Sequence, residues 1–464
     1  MIAAKGEETR IQSTFRDPQG KLYFEGQRVL RTIYPEHEGV VLAWLRSGLA
    51  QRWIADGYMI GTQILEAEPL RLEHQRISFP SYPWEWTPGQ WKAAALLTLD
   101  MCEEALREGY IIKDATPLNL LFSGPRPVFV DVLSFELREP RNPIWTAYAQ
   151  FVRTFLLPLA AYAYLGWPLT ATMQRRDGYE PSDLAPWLPI GKRWRSPLRS
   201  LVTVPLLLQK QVYKRSEWAR NYRPALSPDA AKSAVLRTVR STRRILENLQ
   251  MPRHSSRWSG YPGTAAHYHQ ADHCAKQEFV RVALAELRPS DVLDIGANTG
   301  VYSRIAANSG AQVVAWDTDV QAAEINWQTA AEQRLPIQVL VADFARPVPP
   351  LGWCNSEYFG LLDRAKSNFD LVMMLGVIHH VLVTDQIPLP SVIDQLSRIT
   401  RRWLVIEWIP RDDSQFVDLC RGRESLYEHL DEEYFSNVIS SWFTVRKRVP
   451  LPNGRTLFLL EVQG

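Results

Sequence analysis

Asp294, Gly296, Asn298 and Gly300 stand within seven residues of one another, in the run Asp291-Val292-Leu293-Asp294-Ile295-Gly296-Ala297-Asn298-Thr299-Gly300. An acid, an amide and two glycines at that spacing suit a small ligand held against bare backbone. Gly296 and Gly300 permit a tight turn and a close approach. A helix starting near Val301 then points its first amides at the ligand. Val292, Leu293 and Ile295 supply the buried strand that leads into the turn. A further acid at the tip of the next strand would take a ribose diol, and the apolar run from Ala311 to Trp316 ends at Asp317. This is the layout of a nucleoside-binding α/β crevice. Without a ligand, the same residues make an ordinary strand, turn and helix.

The acid narrows the choice of nucleoside. A dinucleotide site needs G-x-G-x-x-G, so that a pyrophosphate can sit on the helix terminus. Here a carboxylate, Asp294, precedes the first glycine; it would repel a phosphate and pair with an ammonium. That suits the amino-acid end of S-adenosylmethionine. Further strands follow in order: Pro336 to Ala342, then Asp343-Phe344; Asn368 to Gly376, opened by Asp370; Arg402 to Trp408; and two edge strands at Phe443 to Arg446 and Thr456 to Glu461. Over about residues 255–464 the chain resembles the class I (Rossmann-like) S-adenosylmethionine-dependent methyltransferases, with the glycine run as motif I and Asp370 to His380 as motif IV. The resemblance implies an α/β fold: a seven-stranded sheet with helices on both faces. It implies S-adenosylmethionine as cofactor, with Asp294, Gly296 and Gly300 at the methionine end and Asp317 on the ribose. Asp343 then meets the adenine and Phe344 packs on its ring. Asn298, Leu375 and Lys276 are further cofactor-binding candidates.

The acceptor side is less marked. Asn-Pro-Pro-Tyr and Pro-Cys patterns are missing after the fourth strand, which argues against adenine or glutamine amide methylation and cytosine C5 chemistry. His379 and His380 stand there instead, and a histidine can act as general base near neutral pH. They should point to different faces of a helix, so at most one faces the cleft; either can equally be a packed residue. Upstream lie Trp258-Ser259-Gly260-Tyr261-Pro262-Gly263, His267-Tyr268-His269, His273 and Lys276. Tyr261, His267, Tyr268, His269 and Lys276 are candidates for a lid, and Tyr268 is a further catalytic candidate. Three histidines within seven residues also raise a metal, but without a partner acid motif none is read as a ligand. Glu407 and Trp408 can line the acceptor pocket.

A second constellation is Lys113-Asp114-Ala115-Thr116-Pro117-Leu118-Asn119. It follows a helix expected from about Thr87 to Glu108, with Trp91, Ala94, Leu97, Leu99, Cys102 and Leu106 at helical spacing. A turn at Ser123 to Arg126 and a strand at Pro127 to Val130 lead to Asp131. This order resembles the catalytic core of protein-kinase-like phosphotransferases. The resemblance implies that Asp114 orients or deprotonates an acceptor hydroxyl, and that Asn119 and Asp131 hold magnesium against ATP phosphates. Three features depart from it. Ile112-Lys113 replaces His-Arg, Val132-Leu133 replaces Phe-Gly, and no glycine-rich loop lies upstream. The strand Gln27 to Ile33 carries Arg28 and Arg31 where a lysine would face the phosphates, and arginine is a different donor fork. A following helix from about Glu36 to Ala55 offers Glu36 or Glu38 as its partner. A phosphotransferase, a binding-only pseudokinase and a structural turn all remain open.

Taken whole, with Lys113 to Pro117 and Pro127 to Glu136, the chain is similar to a bacterial group of long, NoeA-like nodulation-protein methyltransferases. Its 464 residues fit more than one core. The expected organisation is a kinase-like α+β module with a reduced N-lobe over 1–145, a helical Arg/Trp/Pro-rich connector or C-lobe extension over 146–250, and the methyltransferase domain over 251–464. A net charge of +3 implies no global nucleic-acid field. Lys192, Arg193, Arg195, Arg199, Lys210, Lys214, Arg215, Arg237, Arg240, Arg243 and Arg244 form local basic patches, either solvated faces or contacts for a phosphate-rich or membrane surface. Cys102, Cys274, Cys354 and Cys420 suggest neither disulfides nor metal. Phe155 to Thr172 is too short and too broken by Pro158 and Pro168 for a span, and the polar first residues lack a signal pattern, so a cytoplasmic enzyme is expected. The acceptor is an oxygen or nitrogen of a small molecule or glycan-like compound. A bifunctional ATP/magnesium phosphotransferase and a non-catalytic cofactor-binding regulator are the alternatives.

Overall fold

Alternating apolar residues near the start of the chain build a small antiparallel sheet. Its strands are β1 (Gly20–Glu25), β2 (Arg28–Ile33), β3 (Thr62–Ala67) and β4 (Leu70–His74), in the order β1-β2-β4-β3. The computed structural model describes residues 16–208, 226–252 and 268–463. Between β2 and β3 lie two helices, Glu38–Leu45 and Gly48–Ala55, in place of the single expected helix. The break is at Ser47, which is extended and caps the second helix: its hydroxyl accepts from the Ala50 amide at 3.2 Å. The helix Pro88–Arg107 starts with a reciprocal cap. Thr87 accepts from the Gln90 amide at 3.3 Å and donates its own amide to Gln90 at 2.9 Å.

Four short strands follow: β5 (Tyr110–Ile112), β6 (Leu120–Ser123), β7 (Arg126–Phe129) and β8 (Phe135–Leu137). β5 pairs with β8, and β6 with β7. Helices including Leu157–Leu165 and Pro228–Glu247 come next. Phe151, Phe155, Val235 and Val239 share one core with Trp44, Trp53, Trp86, Trp91 and Phe129. The described residues of 146–250 are thus packed into the same body as the segment before them. The apolar run at Phe155 to Thr172 is part of that core, with Phe155, Leu157 and Leu159 fully buried. Among the described residues no helix is long and apolar enough to cross a membrane.

Continuous apolar runs dominate the rest of the chain, as strands buried on both faces require. They form β9 (Asp291–Ile295), β10 (Gln312–Asp317), β11 (Ile337–Val341), β12 (Phe369–Met374), β13 (Thr400–Trp408) and β15 (Thr456–Val462), with the basic, largely exposed β14 (Phe443–Pro450) at the edge. The sheet order is β11-β10-β9-β12-β13-β15-β14. The first five are parallel, and β15 runs antiparallel to both β13 and β14. This is an α/β sheet of Rossmann-like type. Strand order reverses between β9 and β12, and open α/β sheets bind ligands beyond the carboxyl ends of such a switch point. The chain divides into two units, one of residues 1–122 and 127–252, the other of 123–126 and 253–464.

Candidate functional site

The glycine turn sits at the carboxyl end of β9, on the switch point. The amides of Gly296 and Ala297 both donate to the Trp316 carbonyl, at 2.8 and 3.0 Å, which ties the turn to β10. Gly296, Asn298 and Gly300 all have positive φ, at 72°, 49° and 79°. Gly300 leads directly into the helix Val301–Asn308. A Cβ on Gly296 would lie 2.2 Å from Val377 Cγ2, and one on Gly300 would lie 1.9 Å from Asn326 Oδ1. The protein's own packing therefore demands both glycines, besides any ligand.

Asp317 ends β10 and faces this turn. Its carboxylate accepts from the Asn298 amide at 2.6 Å and the Asp319 amide at 2.8 Å. Burial raises its pKa, while those two amides act the other way. Asp294 lies deeper, 1 % exposed, and accepts from the Ser303 hydroxyl at 2.6 Å. Burial pushes its carboxyl up to about 6 despite that bond. Asp343 follows β11 by two residues. It caps its own turn, accepting from the Ala345 and Arg346 amides at 2.8 and 3.1 Å, and pairs with the exposed Arg346 guanidinium at 3.0 Å. Phe344 is half-buried beside it, and Leu375 is buried just beyond β12. Asp370, at the opposite end of β12, accepts from the Ser290 amide at 2.9 Å and pairs with Arg401. That position serves the sheet, not the crevice.

The loop after β12 carries His379 and His380. Their rings lie 4.2 Å apart, and only one of the two reaches solvent. His380 opens a wide turn in which the Asp385 amide donates back to its carbonyl. His379 is fully buried, and desolvation with its neighbour His380 pushes its pKa down to about 3. It is neutral throughout the physiological range and poorly placed to exchange protons with solvent. His380 is the partly exposed member of the pair. Tyr268 begins the helix Tyr268–Leu287, but its side chain and that of His269 lie outside the described residues, as do Tyr261 and His267. Among the described residues no group of His, Cys, Asp or Glu could hold a metal ion.

Glu407 is more central than its sequence position suggested. It is fully buried, and its Oε1 meets Lys276 Nζ at 2.5 Å and an Arg455 nitrogen at 3.4 Å. Arg455 also forks onto Asp413 at 2.8 Å and 3.1 Å. Trp408 was expected beside the acceptor. It is 1 % exposed and stacks on Phe435 at 4.8 Å, because alternation along β13 turns it to the sheet's other face. A single acid inside Trp403-Leu404-Val405-Ile406-Glu407-Trp408 was the available signal for the importance of Glu407.

Asp114, Asn119 and Asp131 are joined in one network in the first unit. Asn119 donates to the Asp114 carbonyl at 3.1 Å and to Ser134 Oγ at 3.0 Å, and Ser134 donates to Asp131 at 2.6 Å. Gln150 donates to the Asp114 carboxylate at 2.5 Å. Burial raises the Asp114 pKa, and the Asp131 charge adds to this. Arg31, on β2, reaches Asp131 at 3.0 Å and Asp17 at 3.2 Å through one nitrogen. Glu38 does not pair with Arg31; it accepts from the Leu70 amide at 2.8 Å and braces β4.

A methyltransferase-domain family model matches residues 267–446. The nodulation protein NoeA of Rhizobium meliloti (strain 1021) is 25% identical over 480 residues, covering 99% of this chain and 98% of that protein. The N-methyltransferase NodS from Bradyrhizobium japonicum WM9 is 15% identical with a TM-score of 0.31, covering 42% of this chain and 98% of that one. The bifunctional kinase-methyltransferase WbdD is 17% identical with a TM-score of 0.29, covering 41% of this chain and 39% of that one.

Proposed function

We propose that this chain, similar over 267–446 to a methyltransferase-domain family and along its length to NoeA, is a class I S-adenosylmethionine-dependent methyltransferase that methylates an oxygen or nitrogen of a small-molecule or glycan-like acceptor. The observation that carries this reading is Asp317, at the end of β10, bonded to the glycine turn that leaves β9 beside the β9–β12 switch point. The residues at this end of the sheet suit the cofactor. We assign Asp317 to the ribose diol, the turn of Gly296 to Gly300 to the methionine end, and Asp343 with Phe344 to the adenine.

S-adenosylmethionine, when bound, supplies an electrophilic methyl group on a sulfonium. The protein's part is to align an acceptor with it, exclude water and take up a proton. His380 is our candidate for the proton, since His379 is sealed beneath it. An oxygen or nitrogen acceptor is favoured because the loop after β12 carries this imidazole and lacks the amide- and cytosine-methylating patterns.

A thermal-shift titration with S-adenosylhomocysteine tests the site. Ligand at about a hundred times its dissociation constant should add roughly 2.7 kcal/mol. Asp317→Ala should lose that shift. No shift in the parent protein at millimolar ligand would overturn the reading.

We infer that the first unit is a kinase-like module given over to acceptor recognition or regulation. The helix, Asp114, Asn119, the β6–β7 hairpin and Asp131 support the likeness. Arg31 favours a non-catalytic role, because its guanidinium already neutralises the carboxylate that would hold magnesium. The full chain should therefore show no magnesium-dependent ATP turnover above that of Asp131→Ala. Turnover that this substitution abolishes would restore the bifunctional alternative.

A further inference from the structure

The acid that the sequence offers for the cofactor's ammonium is Asp294, yet its carboxylate is sealed in β9 against Ser303. Glu407 is a second acid close to the same switch point, and one of its oxygens is unused. Oε1 takes Lys276 and Arg455. Oε2 is buried and has no hydrogen-bond partner. A carboxylate oxygen left so in a sheet interior is costly unless something comes to meet it. Its direction is known from Gly376, the second residue past β12. A Cβ built on Gly376 would find one heavy atom within 4 Å, Glu407 Oε2 at 3.8 Å. The oxygen thus looks onto bare backbone at the carboxyl end of β12. Gly296 backs onto Val377, the residue after Gly376, so Glu407 and the glycine turn flank the same carboxyl end of β12.

We propose that the buried Lys276–Glu407 pair is a receptor for the zwitterionic amino-acid end of the cofactor, Glu407 taking the ammonium and Lys276 the carboxylate. The assignment rests on the methyltransferase reading of that crevice. The pair carries one charge of each sign, and the ligand end carries the complementary two. Binding inserts a salt of matched charge, so no net charge is buried. Glu407 Oε2 gains the donor it lacks. Lys276 brings three donors on a flexible stem, so it can keep Glu407 Oε1 while reaching a second oxygen. Arg455 stays with Asp413 and holds Glu407 in place from the other side.

Two ligands separate this assignment from its rivals: S-adenosylhomocysteine, and 5′-methylthioadenosine, which keeps the adenosine and thioether but lacks the amino-acid end. Both would be titrated calorimetrically into the full chain and into Glu407→Gln, an isosteric change that keeps a partner for Lys276. The expected result is a loss of tenfold or more in S-adenosylhomocysteine affinity, with 5′-methylthioadenosine changed less than twofold. Lys276→Met should give the same selective loss and serves if Glu407→Gln fails to fold. An unchanged S-adenosylhomocysteine affinity would overturn the assignment and leave Glu407 to the acceptor. An equal loss for both ligands would also overturn it, showing a structural role only. A parent protein that binds neither ligand would sink the methyltransferase reading itself.

Discussion

Gly296→Ala is expected to destabilise the methyltransferase unit by about 2–5 kcal/mol, from a left-handed backbone penalty of about 1–2 and an overpacking cost of about 1–3. Gly296 has φ of 72°, and its new methyl would lie 2.2 Å from Val377 Cγ2. Val377 is branched at Cβ and stiff in χ1, so it cannot step aside cheaply. The loop behind it carries the packed His379–His380 pair, which limits any backbone shift. Gly310→Ala is the control. Its φ is 98°, but nothing lies within 4 Å of the added carbon. It should show the backbone penalty alone, about 1–2 kcal/mol. Denaturant midpoints of both variants measure the difference. Equal losses would mean that Val377 yields freely and the turn is looser than its contacts imply.

The C-terminal sheet was readable because its inner strands are buried on both faces. Val292, Leu293 and Ile295 stand as an apolar run broken only by Asp294 and closed by glycine, and Val339 to Val341 as one closed by Asp343; such runs have few other uses at that length. The single helix expected from Glu36 to Ala55 was wrong in its middle. Helical periodicity persists across Arg46 and Ser47, and only the capping ability of Ser47 hints at the break. The run at Phe155 to Thr172 was ambiguous for a related reason. Apolar composition cannot say whether a helix meets lipid or the tryptophans of its own core; here Phe155 packs edge-on against Trp91 at 6.1 Å.

Site residues were legible where chemistry fixes a position on an element, and obscure where it depends on distant partners. The position of Asp317 at the tip of β10 could be read because an apolar run ends there. Arg31 was recognised as a departure, but its pairing with Asp131 joins residues a hundred positions apart. For the histidine pair the reading that at most one opens outward agrees with the burial of His379 and the partial exposure of His380, but which of the two is sealed depends on packing from distant elements.

Asp294→Asn is expected to stabilise the unliganded protein by up to about 3 kcal/mol at pH 8 and to lose that advantage in acid. The Asp294 carboxyl is raised from 3.8 to about 6 in the folded chain, chiefly by burial. The fold therefore binds this proton more tightly than the unfolded chain does. Below about pH 4 the acid is neutral in both states and imposes no penalty. As pH rises toward 6 the unfolded chain ionises first, and stability falls. Above about pH 6 the loss is complete, and a shift of about two units corresponds to roughly 3 kcal/mol. Asparagine has the same shape and can still accept from Ser303, so the bond at 2.6 Å need not be lost. Urea unfolding of both proteins at pH 5 and pH 8, without ligand, gives the difference free of other titrating groups. A variant less stable by the same amount at both pH values would show that the hydrogen bond to Ser303, and not the charge, dominates this position. A variant that gains stability only at the higher pH would place Asp294 among the groups that oppose folding at neutral pH, in the strand that carries the glycine turn into the cofactor crevice.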